Sequence, residues 1–320
     1  MARLISSVFP VLMNESIVSK LHSEGILTVY DFMLQKCDAL MRKTGLTFKE
    51  IEEIREYFST QFGWEITYPG DLFERESKQK ILTGIKNLDA LLEGGLGCGT
   101  IYEICGSSSA GKSQLCHWLS MHATSNGSAV VHYIDASRNF CASRIQMMLE
   151  SRHCDDGMIG YVMSNIKVYQ ICKIYELFNI LYSLSKSPDK EQSKSSKRLI
   201  IVDSLSVLCA IVSNRDLNPL LCNVAVMCRD IINHSQVVVL IVNTVRSQQA
   251  GLFLSKETEN NFVLQIKPSL GNYWLNVPNV RLLMTQKENG RRKIAVWNSQ
   301  ELVDEKSCIV QIKDEGVFQI

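Results

Sequence analysis

Ile101-Tyr-Glu-Ile-Cys-Gly106-Ser-Ser-Ser-Ala-Gly111-Lys112-Ser113-Gln114 is the stretch on which the reading of this chain turns. Ile101–Cys105 has the character of a buried strand, and a helix-like pattern follows over 112–125. Between them lies a complete G-x-x-x-x-G-K-S string, in the strand-to-helix context that a phosphate-binding loop requires. Such a turn brings backbone N–H groups and the positive end of a helix dipole to one point, and phosphate is the chemistry that fits there. Gly106, Ser107, Ser108, Ser109, Ala110, Gly111, Lys112, Ser113 and Gln114 are assigned to a nucleotide. Lys112 would meet the β- and γ-phosphates, and the Ser113 hydroxyl would ligate Mg²⁺.

Working outward, Arg198-Leu-Ile-Ile-Val-Asp203-Ser204 reads as a second buried strand with a carboxylate at its C-terminal edge. There Asp203 can hold the same Mg²⁺, so Lys112 and Asp203 are the candidate catalytic residues. Further strands are expected at Ala129–Asp135, Ile166–Ile171 and Val237–Val242, and helices at 141–151, 173–185 and 217–234. Apolar strands alternating with helices predict an α/β fold with a parallel sheet covered on both faces. Arg281–Met284, Ile294–Trp297, Cys308–Ile312 and Val317–Ile320 follow without helices, which predicts an antiparallel extension. Ser185–Lys197 is a polar, low-complexity insertion. Residues 1–62 form a separate helical unit: Ile17, Leu21, Ile26, Val29, Phe32, Leu34, Ile51, Ile54 and Phe58 recur at helical spacing. Gly25 and Gly45 punctuate it, and Thr47 with Glu50 forms a capping box. Residues 63–80 read as a linker and 81–320 as the main domain.

Composition narrows the class. At 320 residues, 46% apolar and 21% charged, the chain is globular, with a length suited to about two domains. A net charge of +1 excludes nucleic-acid binding through bulk charge and leaves only a local basic face. The tightest apolar run, Val237–Val242, falls far short of the roughly 20 residues that span a bilayer, so no membrane role is expected. Leu4–Met13 is apolar, but Pro10 interrupts it and no small-x-small site follows, so it is not read as a secretory signal. Eleven cysteines without a Cys-x-x-Cys pair argue against a disulfide framework or a zinc site and for a reducing compartment. His117 and His122 do not share a helix face as a pair of metal ligands would. Arg291-Arg292-Lys293, after Asn289-Gly290, reads as an exposed basic hairpin tip.

Thr83-Gly84-Ile-Lys-Asn-Leu88-Asp89-Ala-Leu91-Leu92-Glu-Gly94-Gly95-Leu96, running into the phosphate loop, resembles the RecA/RadA recombinase family. Within it the chain is similar to the eukaryotic Rad fifty-one paralogues, most of all the D-type. Tyr133-Ile134-Asp135, the Asp203 strand, Ala-Ser143-Arg144 and Pro268-Ser-Leu270-Gly271-Asn-Tyr-Trp274 carry the likeness across residues 80–320. The Gly25 and Gly45 turns match the family's small appended domain. The resemblance implies a RecA-like P-loop ATPase core with a central, mostly parallel sheet, plus a small N-terminal all-helical domain. It also implies ATP and Mg²⁺ as cofactors and a nuclear location. Family recombinases place a water-polarising Glu where this chain has Ser137, and an Asn-Gln sensor where it has Asn243-Thr244. Both departures imply bound ATP with slow hydrolysis, because an unassisted serine is a poor general base. By the resemblance, DNA is met by two loops, Cys209–Leu217 and Arg246–Lys267, holding Arg215, Arg246, Lys256 and Lys267, with Phe253 and Phe262 for base stacking. Phe73-Glu-Arg-Glu76 lacks the Ala of the family's self-assembly string.

The function that follows is an ATP-binding regulatory subunit of a homologous-recombination complex, assisting recombinase filaments on single-stranded or branched DNA. Its partners would be other recombinase paralogues in a hetero-oligomer. The competing expectations are an active DNA-dependent ATPase that performs strand exchange itself, and a scaffold that uses ATP structurally.

Overall fold

The computed structural model describes residues 4, 13–62, 79–186, 197–234, 236–248, 265–299, 301–303 and 306–320. The chain divides into two compact units, Met1–Leu72 and Phe73–Ile320. Most of the 63–80 stretch and of the Ser185–Lys197 insertion, with Phe73–Glu76, lies outside the described residues.

In the first unit, helices Glu15–Ser23, Val29–Leu34, Cys37–Thr44 and Phe48–Phe62 close around Leu21, Ile26, Phe32, Leu40, Ile51, Ile54 and Phe58. Side-chain caps set three of the four starts, that of Cys37–Thr44 being the exception. The Asn14 side chain accepts from the Ile17 amide at 3.0 Å, and Thr28 forms a reciprocal box with Asp31. Glu50 accepts from the Thr47 amide at 2.8 Å while Thr47 Oγ1 accepts from the Glu50 amide at 3.3 Å. Gly25 and Gly45 sit at φ +75° and +80°, where a side chain is strained. Leu34 departs from the expected core: it ends its helix 65% exposed.

The second unit is built on twelve strands among the described residues: β1 (Lys80–Ile81), β2 (Leu96–Gly97), β3 (Thr100–Gly106), β4 (Ala129–Asp135), β5 (Ile166–Gln170), β6 (Lys197–Asp203), β7 (Val237–Gln248), β8 (Gln265–Pro268), β9 (Val280–Gln286), β10 (Arg291–Ser299), β11 (Ser307–Lys313) and β12 (Gly316–Gln319). β1 and β2 form a small ribbon. The main sheet runs β12-β11-β10-β9-β3-β7-β6-β4-β5, with β8 paired to β7. From β9 to β5 every neighbouring pair is parallel, and β9 through β12 pair antiparallel. Helices Lys112–Ser125 and Ala142–Glu150 cover one face through Leu115, Trp118, Leu119, Ile145 and Met148. Helices Ile174–Lys186, Leu205–Ala210 and Asn214–His234 cover the other through Leu177, Leu181, Leu208, Val224 and Cys228. Strands buried on both sides need apolar residues at successive positions, which is why Leu199–Val202 and Val237–Val242 do not alternate.

Parallel register lines up the C-terminal ends of the central strands. Gly106 lies opposite Thr244, Cys105 opposite Asn243, and Asp135 opposite Asp203. The chain leaves β3 for β4, three positions away with β7 and β6 between them, while its neighbour β9 lies on the other side, so the crevice beyond β3 is a topological switch point. One expectation is corrected. Cys209–Leu217 is not an open loop: Ala210 ends one helix, Asn214 starts the next, and only residues 211–213 turn between them.

Candidate functional site

The phosphate loop is shaped by positions that tolerate little else. A Cβ on Gly106 would stand 2.5 Å from the Met284 carbonyl oxygen, a backbone atom of the neighbouring strand. Gly111 has φ +104°, and Ser109 is held at φ +62°. Lys112, 8% exposed, folds back and donates to the carbonyl oxygens of Gly106 at 2.8 Å and Ser107 at 2.7 Å. Burial pushes its pKa down, and the nearby Asp203 charge works against that shift. Among the described residues the amides of Ser108, Ser109 and Gly111 donate to no protein acceptor, and no carboxylate pairs with Lys112. A buried cation facing only carbonyls, beside free amides at a helix start, fits a nucleotide's phosphates.

Asp203 emerges at the end of β6, 2% exposed, and accepts the Tyr133 hydroxyl at 2.7 Å. Burial, followed by the Cys116 and Asp203 charges, raises the Tyr133 pKa far beyond its ordinary range, so Tyr133 is a donor and not a base. Ser113 lines the same cleft as Asp203, and the two side chains are the oxygen donors that would hold a divalent cation there. Asp135 is turned to another task. Its Oδ1 accepts the amides of Ser137 at 3.2 Å and Asn139 at 3.1 Å, and its Oδ2 that of Phe140 at 3.0 Å. The carboxylate therefore staples the 136–140 turn, which presents Ser137 and Asn139 to the cleft. His117 fills the wall, stacked on Tyr133 at 5.6 Å and edge-on to Phe140 at 5.3 Å. Its ring nitrogens are buried without partners among the described residues, and burial lowers its pKa, so the ring is neutral.

The cleft has a volume of about 450 Å³ and gathers Ser108, Ser109, Gly111, Lys112, Ser113, Gln114, Ser137 and Asp203. Gly106, Ser107 and Ala110 are not among its lining residues; their carbonyl oxygens accept the Lys112 and Arg292 side chains. Asp203 is its only carboxylate among the described residues. The antiparallel extension closes the far side with Arg292 and Ile312. Arg292 corrects the hairpin-tip expectation: it lies in phase with buried Ile294 and Val296, and its Nε donates to the Ala110 carbonyl at 2.8 Å. That period-two alternation was the signal available in the sequence. Arg144 ties the same extension to the loop's helix, donating to Gln114 Oε1 at 3.0 Å and to the carbonyls of Lys313 and Asp314.

Behind Thr244, on the β7 side, lies a buried polar network. The Thr244 hydroxyl lies 2.8 Å from that of Ser269, and Ser269 donates to Asn243 Oδ1 at 2.7 Å. Asn243 Nδ2 donates to Glu103 Oε1 at 2.8 Å, which also accepts Trp274 Nε1 at 3.0 Å. Arg281, opposite Glu103 in the β3–β9 register, donates through Nε to Glu103 Oε2. Ser269 and Arg281 then line a second cleft of about 560 Å³ with Arg246, Lys267, Asn272, Trp297 and Asn298. Of the expected DNA contacts, Arg246 and Lys267 are exposed and directly opposite each other across β7 and β8. Arg215 is exposed in the first turn of helix Asn214–His234, apart from that pair in the sequence and on a different element. Lys256, Phe253 and Phe262 lie outside the described residues.

Comparison with known proteins bears on this geometry directly. Residues 74–320 match the family described as Rad51. The chain belongs to the Rad51 family. Residues 1–61 match the RAD51D N-terminal domain, so the Rad51-family core carries a RAD51D-type helical unit, in line with the resemblance read from the sequence. DNA repair protein RAD51 homolog 4 of Bos taurus is 28% identical over 87% of this chain and 83% of its own length. DNA repair protein RAD51 homolog 2 of Homo sapiens is 24% identical over 95% and 86%. A meiotic recombination protein DMC1 homolog of Glycine max is 29% identical over 95% and 87%. Membership implies nucleotide binding, and the RecA-like α/β fold expected from the strand pattern is the one present. No helix among the described residues is long and apolar enough to cross a membrane.

Proposed function

We propose that this Rad51-family chain is an ATP-binding regulatory subunit of a homologous-recombination DNA-repair assembly that turns ATP over slowly. The observation that carries the proposal is the contrast within one cleft. The phosphate-binding half is fully furnished, whereas the sole carboxylate among the lining residues, Asp203, already accepts the Tyr133 hydroxyl. Lys112 and the free loop amides would hold the phosphates, and Ser113 and Asp203 would hold Mg²⁺, whose role is to neutralise phosphate charge. Ser137 offers the cleft a hydroxyl, and a hydroxyl without a basic partner does not activate water. Nucleotide then serves mainly as a ligand that fixes the cleft's conformation.

Residues 1–62 would contact one recombinase paralogue and residues 81–320 another, in a nuclear hetero-oligomer acting on single-stranded or branched DNA. The Arg246–Lys267 pair supports the DNA part: directly opposed like charges repel, and a phosphate backbone beside them relieves that repulsion. The test is ATP turnover by the purified chain, with and without single-stranded DNA, with Lys112→Ala as the blank. Tight ATP binding with turnover near the blank, unchanged by DNA, is the expected result. Brisk DNA-stimulated turnover would overturn the proposal in favour of an active strand-exchange enzyme.

A further inference from the structure

The cleft holds a second cation that the phosphate-loop motif does not include. Arg292 is the second residue of β10, paired with Gln286 of β9 and Val310 of β11, so its backbone is fixed in the middle of three strands. Its side chain crosses to the phosphate loop and is half-buried there. Nε donates to Ala110 O at 2.8 Å, and Nη1 donates to Arg291 O at 3.0 Å. Among the described residues Nη2 has no acceptor, and no carboxylate lies within ion-pair distance of the guanidinium. A guanidinium is a rigid planar fork, so anchoring Nε on the loop fixes the direction of the remaining N–H edge. The contact is close: a Cβ built on Gly111 would meet Arg292 Nε at 3.4 Å.

Charge balance says what that edge is for. Lys112 and Arg292 line one cleft whose only carboxylate among the described residues is Asp203. Even with Asp203 the cleft keeps a net positive charge on two cations that repel each other, and an anionic ligand relieves the arrangement. A neutral nucleoside does not meet that need, whereas a nucleoside di- or triphosphate does.

We propose that Arg292 is a phosphate-contacting residue of this cleft, supplied by the same chain, which positions the loop through Ala110 and meets the phosphates of the bound nucleotide through its free edge. The proposal rests on the nucleotide-binding function above. Fluorescently labelled ATP is titrated into the full chain and displaced with ADP and with adenosine, for wild type, Arg292→Met and Arg292→Lys. Arg292→Met should weaken ATP and ADP binding about tenfold to a hundredfold, the range for a hydrogen bond to a charged group. Adenosine affinity and the thermal midpoint of the ligand-free chain should stay near wild type. Arg292→Lys, which keeps the charge, should recover part of the loss, and ATP binding by Arg292→Met should fall less steeply with added salt than that of wild type. Equal ATP affinity in wild type and Arg292→Met overturns the assignment and leaves the nucleotide-binding proposal standing. A parallel loss of adenosine affinity, ATP affinity and thermal midpoint overturns it too, in favour of a purely structural tether. Failure of the wild-type chain to bind ATP overturns both.

Discussion

Glu103→Gln isolates the charge of the carboxylate at the centre of the buried network. Glu103 is 0% exposed and accepts from Asn243, Trp274 and Arg281, whose own side chain is 4% exposed. Glutamine keeps the length and one carbonyl oxygen, so Asn243 and Trp274 can retain an acceptor. Arg281 instead faces an amide NH₂ and becomes an uncompensated buried cation. Breaking one side of a buried pair in this way costs about 3–5 kcal/mol. Against a typical domain stability of about 5–15 kcal/mol, that is a large fraction. Arg281→Met exposes the complementary defect, eased because two donors still face Glu103. In the double variant the amide serves Asn243 and Trp274 while methionine fills the guanidinium's space, so most of the loss should be recovered. The assay is urea unfolding of the full chain by far-ultraviolet circular dichroism, with the four proteins closing a double-mutant cycle. A coupling of at least about 2 kcal/mol is expected. Single losses under about 1 kcal/mol, or losses that simply add in the double variant, would refute the description of Glu103 and Arg281 as a mutually neutralising buried pair.

Two further outcomes concern stability. Burial, reinforced by the Lys167 and Arg198 charges, holds the His132 pKa down at about 4, so the folded state keeps the ring neutral while the unfolded chain takes up a proton near its ordinary value of 6.5. The contribution is present above the unfolded value and lost as pH falls through about 4; its full size is about 3 kcal/mol. His132→Phe should flatten the urea midpoint between those two pH values, with a residual slope from His117 and His122, whose pKa values are also lowered; an unchanged slope counts against it. Gly316→Ala should cost about 1–3 kcal/mol by thermal melting, because φ is +140° and the new Cβ would lie 2.2 Å from Trp118 Cζ3. A melting temperature equal to wild type would show that the hairpin shifts freely off Trp118.

How much was legible follows from which forces are local. The phosphate loop could be read because Gly106, Gly111 and Lys112 fall within one short stretch, and the β6 and β7 strands because two-sided burial leaves an uninterrupted apolar run. Helix Asp156–Asn165 was not anticipated: Gly157 and Gly160 lower its propensity, and only Val162 is fully buried, although Asp155 does cap it, accepting from the Met158 amide at 2.7 Å. The Cys209–Leu217 stretch was expected as a loop because the family resemblance implied one there. Ser213 instead donates to Asp216 Oδ2 at 2.6 Å and starts the long helix. Arg292 was hidden by its neighbours, since three consecutive cations suggest a solvated tip before they suggest alternating faces. The Glu103–Arg281 pair spans 178 residues, and only the parallel register of β3 with β9 brings it together.

The two strand-end carboxylates also explain why loss of one side chain at position 137 is hard to offset from within this chain's described residues. Asp135 lies two residues before Ser137 and is the nearest substitute base by sequence, yet both its oxygens hold the turn that presents Ser137. Turning it into the cleft would strip the acceptor from three amides, at about 1–3 kcal/mol for each one left buried. Asp203 faces the cleft with Oδ2 accepting the Tyr133 hydroxyl, and its remaining lone pairs are the ones the proposed Mg²⁺ would take. The first route dismantles the turn that presents Ser137, and the second sets a base in competition with the proposed Mg²⁺. On the proposed reading Asp135 therefore organises the turn and Asp203 the metal, and neither is left over as a base for water.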